Sequence, residues 1–475
     1  MLSPTADSRM TAPDPAGSAL LGPLFATGEM RTLFSDRAAL TRMLRVEAAL
    51  AEAESAAGVI PRGAAGPIAA ACNPDRYDMA ALGVAAPASG NVAIPLVKAL
   101  TAEVARRDKE AARFVHWGAT SQDIIDTANA LAMRDGAALI ERDLDRAIKA
   151  FAALARRHRK KPMAGRTWLQ QALPITFGLK AARYAAMLAR VRTQLDEAAS
   201  AAAVLQFGGA AGTLASLGAK GPAVTKKLAA SLDLDLPELP WHGERDRIAT
   251  VATALGIVVG ASGKIARDLS LMMQTEVAEA FEPAAPGKGG SSTMPHKRNP
   301  VACAFILTAA TLAPGLVAST LFGMVQEHER ALGGWQAEWI VLPQLFLLAS
   351  GAVAQLAETT KGLEVDTDRM RVNLEFTNGL VMAEAVQMAL GEKLGRMEAH
   401  DLLETASKKA VAEGRHLREV VGEIPQIADT LGQKKLDVLF DPLAYLGSAE
   451  DFIDRALKSA EQTLAKSAKP KGKKR

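Results

Sequence analysis

Between Ser121 and Lys160 apolar residues return every three or four positions, at Ile124, Ala128, Leu131, Ile140, Leu144, Ala147, Phe151 and Leu154. That is the stripe of one helix of more than roughly 30 residues. A helix so long needs long partners, and the chain supplies them. Similar stripes run from Pro174 to Leu205, from Ile248 to Phe281 (Leu255, Val258, Ile265, Leu269, Met272), from Pro300 to Val325 and from Trp339 to Leu363. Five such segments, with apolar faces wider than a single core requires, predict an all-α bundle that also packs against copies of itself. Composition points the same way. Hydrophobic residues make up 49% of the chain and aromatics only 4%, so the core must be Ala, Leu, Val, Ile and Met, which suit packed helices better than sheets.

Around the bundle the chain divides into an N-terminal tail (1–18), a domain of short helices (19–120), the bundle itself (121–365), a C-terminal helical domain (366–463) and a basic tail (464–475). In the first domain Ser35 through Ala57 reads as a helix closed by Gly58. Ser89, Gly90 and Asn91 form a loop before a helix that Pro95 can open; Ser89 and Asn91 there are either an ordinary cap or substrate contacts. Gln206 to Gly221, with five glycines, marks a tight connection. Beyond Asp366 the helices shorten, and no motif there bears on chemistry.

Net charge is +4, yet Lys466, Lys469, Lys471, Lys473, Lys474 and Arg475 hold six positives without an acid. The body is therefore slightly acidic, which argues against a nucleic-acid partner, and the tail reads as a solvated end. Cys72 and Cys303 lie far apart in apolar helical contexts, as in a reducing compartment, and no metal site is expected. The first residues lack a basic start followed by an apolar run, and no apolar stretch reads as free enough of charge to span a bilayer. The expectation is a cytoplasmic protein with no membrane contact.

The connector from Pro283 to Asn299 is longer than compact domains usually keep unless a loop binds or closes over something. Its core, Gly287-Lys288-Gly289-Gly290-Ser291-Ser292-Thr293-Met294-Pro295-His296-Lys297-Arg298-Asn299-Pro300, is dense in glycines, hydroxyls and cations. Asn299 can cap a helix whose first position is Pro300. The segment is no nucleotide phosphate loop, because Gly289 follows Lys288 where Ser or Thr is required and no strand is read before it. A second dense stretch is Val115-His116-Trp117-Gly118-Ala119-Thr120-Ser121-Gln122-Asp123-Ile124-Ile125-Asp126-Thr127, where Gly118 permits a bend and Ser121 can cap the helix that follows, with Asp123 and Asp126 near its positive end. Arg245 and Arg247 can grip a carboxylate with both arms, or simply pair along a solvated helix start.

These stretches resemble the signatures of the fumarase/aspartase superfamily, specifically its adenylosuccinate lyase and 3-carboxy-cis,cis-muconate cycloisomerase branches. The resemblance covers nearly all of residues 20 to 460. It implies a homotetramer whose active sites draw residues from three subunits. It makes Ser291 the general base, with Ser292 the neighbouring alternative, Lys297 and Asn299 the stabilisers of anionic charge, and Thr120 and Ser121 carboxylate-binding hydroxyls beside His116. Arg330, in Glu329-Arg330-Ala331-Leu332-Gly333-Gly334-Trp335, is a further anion contact.

The branches separate at Gly165-Arg166-Thr167-Trp168-Leu169-Gln170. The lyases carry a histidine, associated with the leaving group's proton, where this chain has Trp168, and indole is neither acid nor base near neutrality. A carboxylate leaving group needs no such donor, since its acid has a pKa of about 4. With Trp168 and Gln170 facing the substrate, the expectation is lactone chemistry on a small tricarboxylate, without metal or organic cofactor. The alternatives are an adenylosuccinate lyase-type elimination releasing fumarate, and a non-catalytic helical scaffold.

Overall fold

The structure, a computed structural model, describes residues 18–284, 289–290, 294 and 296–467. Its principal helices are α1 (Asp36–Ala56), α2 (Met79–Ser89), α3 (Ala93–Ala105), α4 (Ser121–Arg157), α5 (Phe177–Ala202), α6 (Asp246–Met272), α7 (Val301–Phe322), α8 (Gly334–Lys361) and α9 (Ala449–Ser467). Helices α4 to α8 are the five long segments. Packing groups the chain into two units: Met1–Asp143, Val191–Gly263 and Phe305–Ala354 form the first, and Leu144–Arg190, Lys264–Ala304 and Gln355–Arg475 the second. The division runs through all five long helices.

Local chemistry sets the helix ends. Ser35 caps α1 by accepting from the Ala38 amide. Gly58 follows it in the left-handed region that glycine enters freely. The helix expected from Pro174 begins instead at Phe177, because residues 162–176 form an antiparallel hairpin, β1 (Pro162–Thr167) with β2 (Gln170–Thr176). Pro174 sits opposite Ala164 in that ladder. The expected helix from Ile248 to Phe281 stops at Met272. Ala280–Phe281 pairs as a two-residue strand, β3, with β4 (Glu364–Val365), so a short strand does precede the long connector.

In the first unit Leu44, Leu50, Ile68, Leu96 and Leu100 are buried, as are Phe346 and Trp241. In the second, Phe151 meets Tyr184 edge to face with ring centroids 5.3 Å apart. A separate cluster including Val386, Leu403, Leu417, Val420 and Ile427 forms the core of its C-terminal helices. Among the described residues three helices prove long and apolar enough to cross a membrane, contrary to the sequence expectation: α6, α7 and α8. In α6 and α8 the apolar stretch is 67% buried in the protein, so the fold itself uses the apolarity; in α7 only 28% is buried.

Candidate active site

In the first unit the expected residues gather around the start of α4. Asp123 turns back to accept from the Thr120 amide at 3.0 Å, and also takes the Gly208 and Gly209 amides at 3.0 and 2.9 Å and His242 Nε2 at 2.7 Å. The glycine-rich connection is thereby wrapped on a single buried carboxylate. Gly208 is required there, since a Cβ would stand 2.6 Å from that of Pro240. Asp126 accepts from Arg245 at 2.7 Å and from Trp335 Nε1 at 2.9 Å. Arg245 gives its remaining donors to Glu338. Burial opposes the guanidinium's charge, but Asp126 and Glu338 outweigh it and hold its pKa above the ordinary value. The substrate clamp expected at Arg245 is thus occupied inside the chain, because a buried cation requires its carboxylates. Arg247, the second residue of α6, is half-buried.

Above this network lie groups with hydrogen-bonding capacity to spare. Arg330 donates to the Thr120 hydroxyl at 2.7 Å and to Gln122 Oε1 at 3.3 Å. Asn91 Nδ2 donates to the Ser121 hydroxyl at 3.3 Å, while its Oδ1 caps α3 through the Ala93 and Ile94 amides. The capping reading of Asn91 holds. Each hydroxyl accepts one bond and keeps its own O–H to donate, which suits a carboxylate. Ser89 is the last residue of α2, before left-handed Gly90. His116, half-buried with φ of 58°, sets Nδ1 2.6 Å from Glu47 Oε1. Burial opposes its protonation, but Glu47 and then Asp123 raise its pKa above the usual histidine value.

The second unit carries the other group. Trp168 and Leu169 are the two-residue tip of the β1–β2 hairpin, at φ of 52° and 65°. They are 97% and 75% exposed, and Gln170 is exposed beside them. The hairpin is invisible to sequence rules because its tip lacks the Asn-Gly or Asp-Gly pair that such a turn prefers. Arg166 anchors it through two bonds, 2.7 and 2.8 Å, to the buried carboxylate of Glu279, which Asn373 also meets at 2.9 Å. Sequence reasoning did not single out Glu279.

Ser291 and Ser292 lie outside the described residues. At the downstream edge of the connector the Asn299 amide donates to the Gly289 carbonyl at 2.9 Å. Arg298 lies over the Phe281 ring and reaches Glu364 at 2.8 Å. Lys297 is exposed, and Asn299 half-buried. Asn299 was expected to cap a helix opening at Pro300. Instead α7 opens at Val301, and Glu282 accepts from the Ala302 and Cys303 amides at 3.1 and 2.9 Å. A carboxylate is a stronger partner than an amide oxygen for a positive helix end. Among the described residues His400, Asp401 and Glu404 could together approach a metal ion, but all three are exposed and Glu404 pairs with Lys408.

Residues 25–315 match the lyase family model, and residues 379–456 match that of the adenylosuccinate lyase C-terminus. A 3-carboxy-cis,cis-muconate cycloisomerase of Bradyrhizobium diazoefficiens is 58% identical over 94% of this chain and 99% of its own length. One from Pseudomonas aeruginosa is 51% identical over 94% and 97%. The crystal structure of the 3-carboxy-cis,cis-muconate lactonizing enzyme from Pseudomonas putida superposes with a TM-score of 0.88 at 48% identity, covering 93% of this chain and 98% of that one.

Proposed function

The chain belongs to the lyase family, and from that premise we propose that it is a cycloisomerase interconverting 3-carboxy-cis,cis-muconate and 4-carboxymuconolactone in the degradation of aromatic acids. The observation that carries this reading over fumarate release is Trp168. It stands exposed at the hairpin tip where a lyase would present a proton donor, and a departing carboxylate needs none.

In the proposed reaction a substrate carboxylate adds to a conjugated double bond and the carbon beside a second carboxylate gains a proton. Charge accumulates on that second carboxylate as an aci-carboxylate, so the site must stabilise an anion away from water. Ser291 exchanges the carbon-bound proton, with Lys297 and Asn299 beside the developing charge. Thr120, Ser121, His116 and Arg330 hold carboxylates; the Arg330–Thr120 bond supports this by joining a cation and a hydroxyl on one ligand face. Neither metal nor organic cofactor takes part.

We further propose a homotetramer of the cytoplasm with active sites shared between subunits. Two observations support it: the sparsely buried apolar α7, where Phe322 is 82% exposed, and the bare indole of Trp168. An apolar helix left so largely unburied marks a surface that a partner ordinarily covers. The test is an ultraviolet assay of 3-carboxymuconate with the wild-type protein and with Ser291→Ala. Loss of diene absorbance with wild type only is expected. Turnover intact in Ser291→Ala, or fumarate released from adenylosuccinate, would overturn the assignment.

A further inference from the structure

Behind His116 the first unit buries two carboxyl groups that the proposed chemistry does not use. Glu47 and Glu54 lie seven residues apart on α1, hence on one helix face. Both are shut from solvent, at 1% and 0% exposure. Glu47 spends Oε1 on His116, while its Oε2 and both oxygens of Glu54 have no hydrogen-bond partner among the described residues. Two neighbouring carboxylates cannot both stay ionised in such a place. Burial, and then the charge of Glu47, push the Glu54 carboxyl up to about 9. The charge of Glu47 thus acts on two neighbours, Glu54 and the imidazole to which it is bonded.

The backbone shows how firmly the ring is held. His116 is a non-glycine residue in the left-handed region, a conformation that persists only where the surroundings enforce it. The bond from Nδ1 to Glu47 fixes the ring plane and leaves Nε2, which has no partner among the described residues, as the outward donor. Groups acting on the ring come from two elements: Glu47 on α1, and Asp123 on α4, whose carboxylate is already shared among backbone amides and His242. Cys72, also near Glu47, has its thiol pushed up to about 12, chiefly by burial, and adds no charge near neutrality.

We infer that Glu47 is a positioning residue which fixes the His116 ring and favours its charged form, so that Nε2 presents an N–H to one carboxylate of the substrate. The role assigned to the substrate rests on the proposed function; the charge state of the ring does not. Because the cation is needed to hold substrate in ground and transition states alike, its loss moves KM and leaves kcat nearly alone.

The test pairs kinetics with a readout that needs no turnover. In ¹⁵N-histidine-labelled protein, Glu47→Gln lowers the His116 titration midpoint by at least about one pH unit, and Glu47→Asp restores part of it. With 3-carboxymuconate, KM of Glu47→Gln rises up to about tenfold at pH values between the variant and wild-type His116 midpoints and little well below both, with kcat within about threefold of wild type. Glu54→Gln, which puts a neutral amide in place of a neutral acid, leaves both the midpoint and KM unchanged below pH 8. An unmoved midpoint in Glu47→Gln overturns the inference, as does an equal KM penalty at all pH values or from Glu54→Gln. If the wild-type protein does not consume the diene acid, the proposed function fails, while the titration still decides the charge of His116.

Discussion

Arg245 and Asp126 form an ion pair in which each side chain is 1% exposed, and the same guanidinium holds Glu338 on its other edge. Two carboxylates and one cation are thus sealed together under the residues proposed to meet substrate. Removing the cation strands both acids, a loss of about 3–5 kcal/mol for a broken buried pair. Arg245→Met is expected to lower the denaturation midpoint sharply. Arg330→Met, at a half-buried position, should instead raise KM with little change in stability; comparing unfolding curves with Michaelis plots for the two variants separates these roles.

Trp168 and Leu169 hold left-handed conformations that disfavour side-chain-bearing residues by roughly 1 kcal/mol or more each. A double variant, Trp168→Asn with Leu169→Gly, gives the turn the pair it prefers. Such a protein should unfold at higher denaturant concentration and yet lose most of its turnover. Equal activity in the variant would remove Trp168 from the site.

Glu54 supplies a pH dependence of stability. Its folded pKa of about 9 lies above the ordinary carboxyl value, so between the two the folded state binds the extra proton and stability falls as pH rises. Glu54→Gln abolishes that slope. Thermal scans should find the variant no more stable than wild type near pH 5 and more stable near pH 8.5, by up to a few kcal/mol as an order of magnitude.

Glu282 caps α7 from the far side of the long connector. Glu282→Ala removes the acceptor of two helix amides and should destabilise the protein by about 1–2 kcal/mol. Hydrogen exchange at the Ala302 and Cys303 amides should accelerate before that of the helix interior.

The helical plan was legible because apolar spacing reports helix faces directly: α4 begins at Ser121, one position before the start that a cap at Ser121 would give, and α5, α7 and α8 lie within a few residues of their stripes, while α6 stops short of its own. The residues proposed to meet substrate at Thr120, Ser121 and Arg330 also stand out in the sequence, as their motifs are local. Helix ends at Pro174 and Phe281 were misread, since strand pairing joins segments that sequence periodicity treats separately.

By itself the sequence determined a chain of long amphipathic helices and the residue types offered to an anionic substrate, because both are written in short-range spacing. Only tertiary structure decided which charges remain available. Arg245 is consumed by Asp126 and Glu338, Asp123 by a glycine-rich connection some eighty residues on, and His116 is backed by a glutamate from α1. A buried charge must find its partner wherever the fold brings one, and that distance in the chain leaves no periodicity to read.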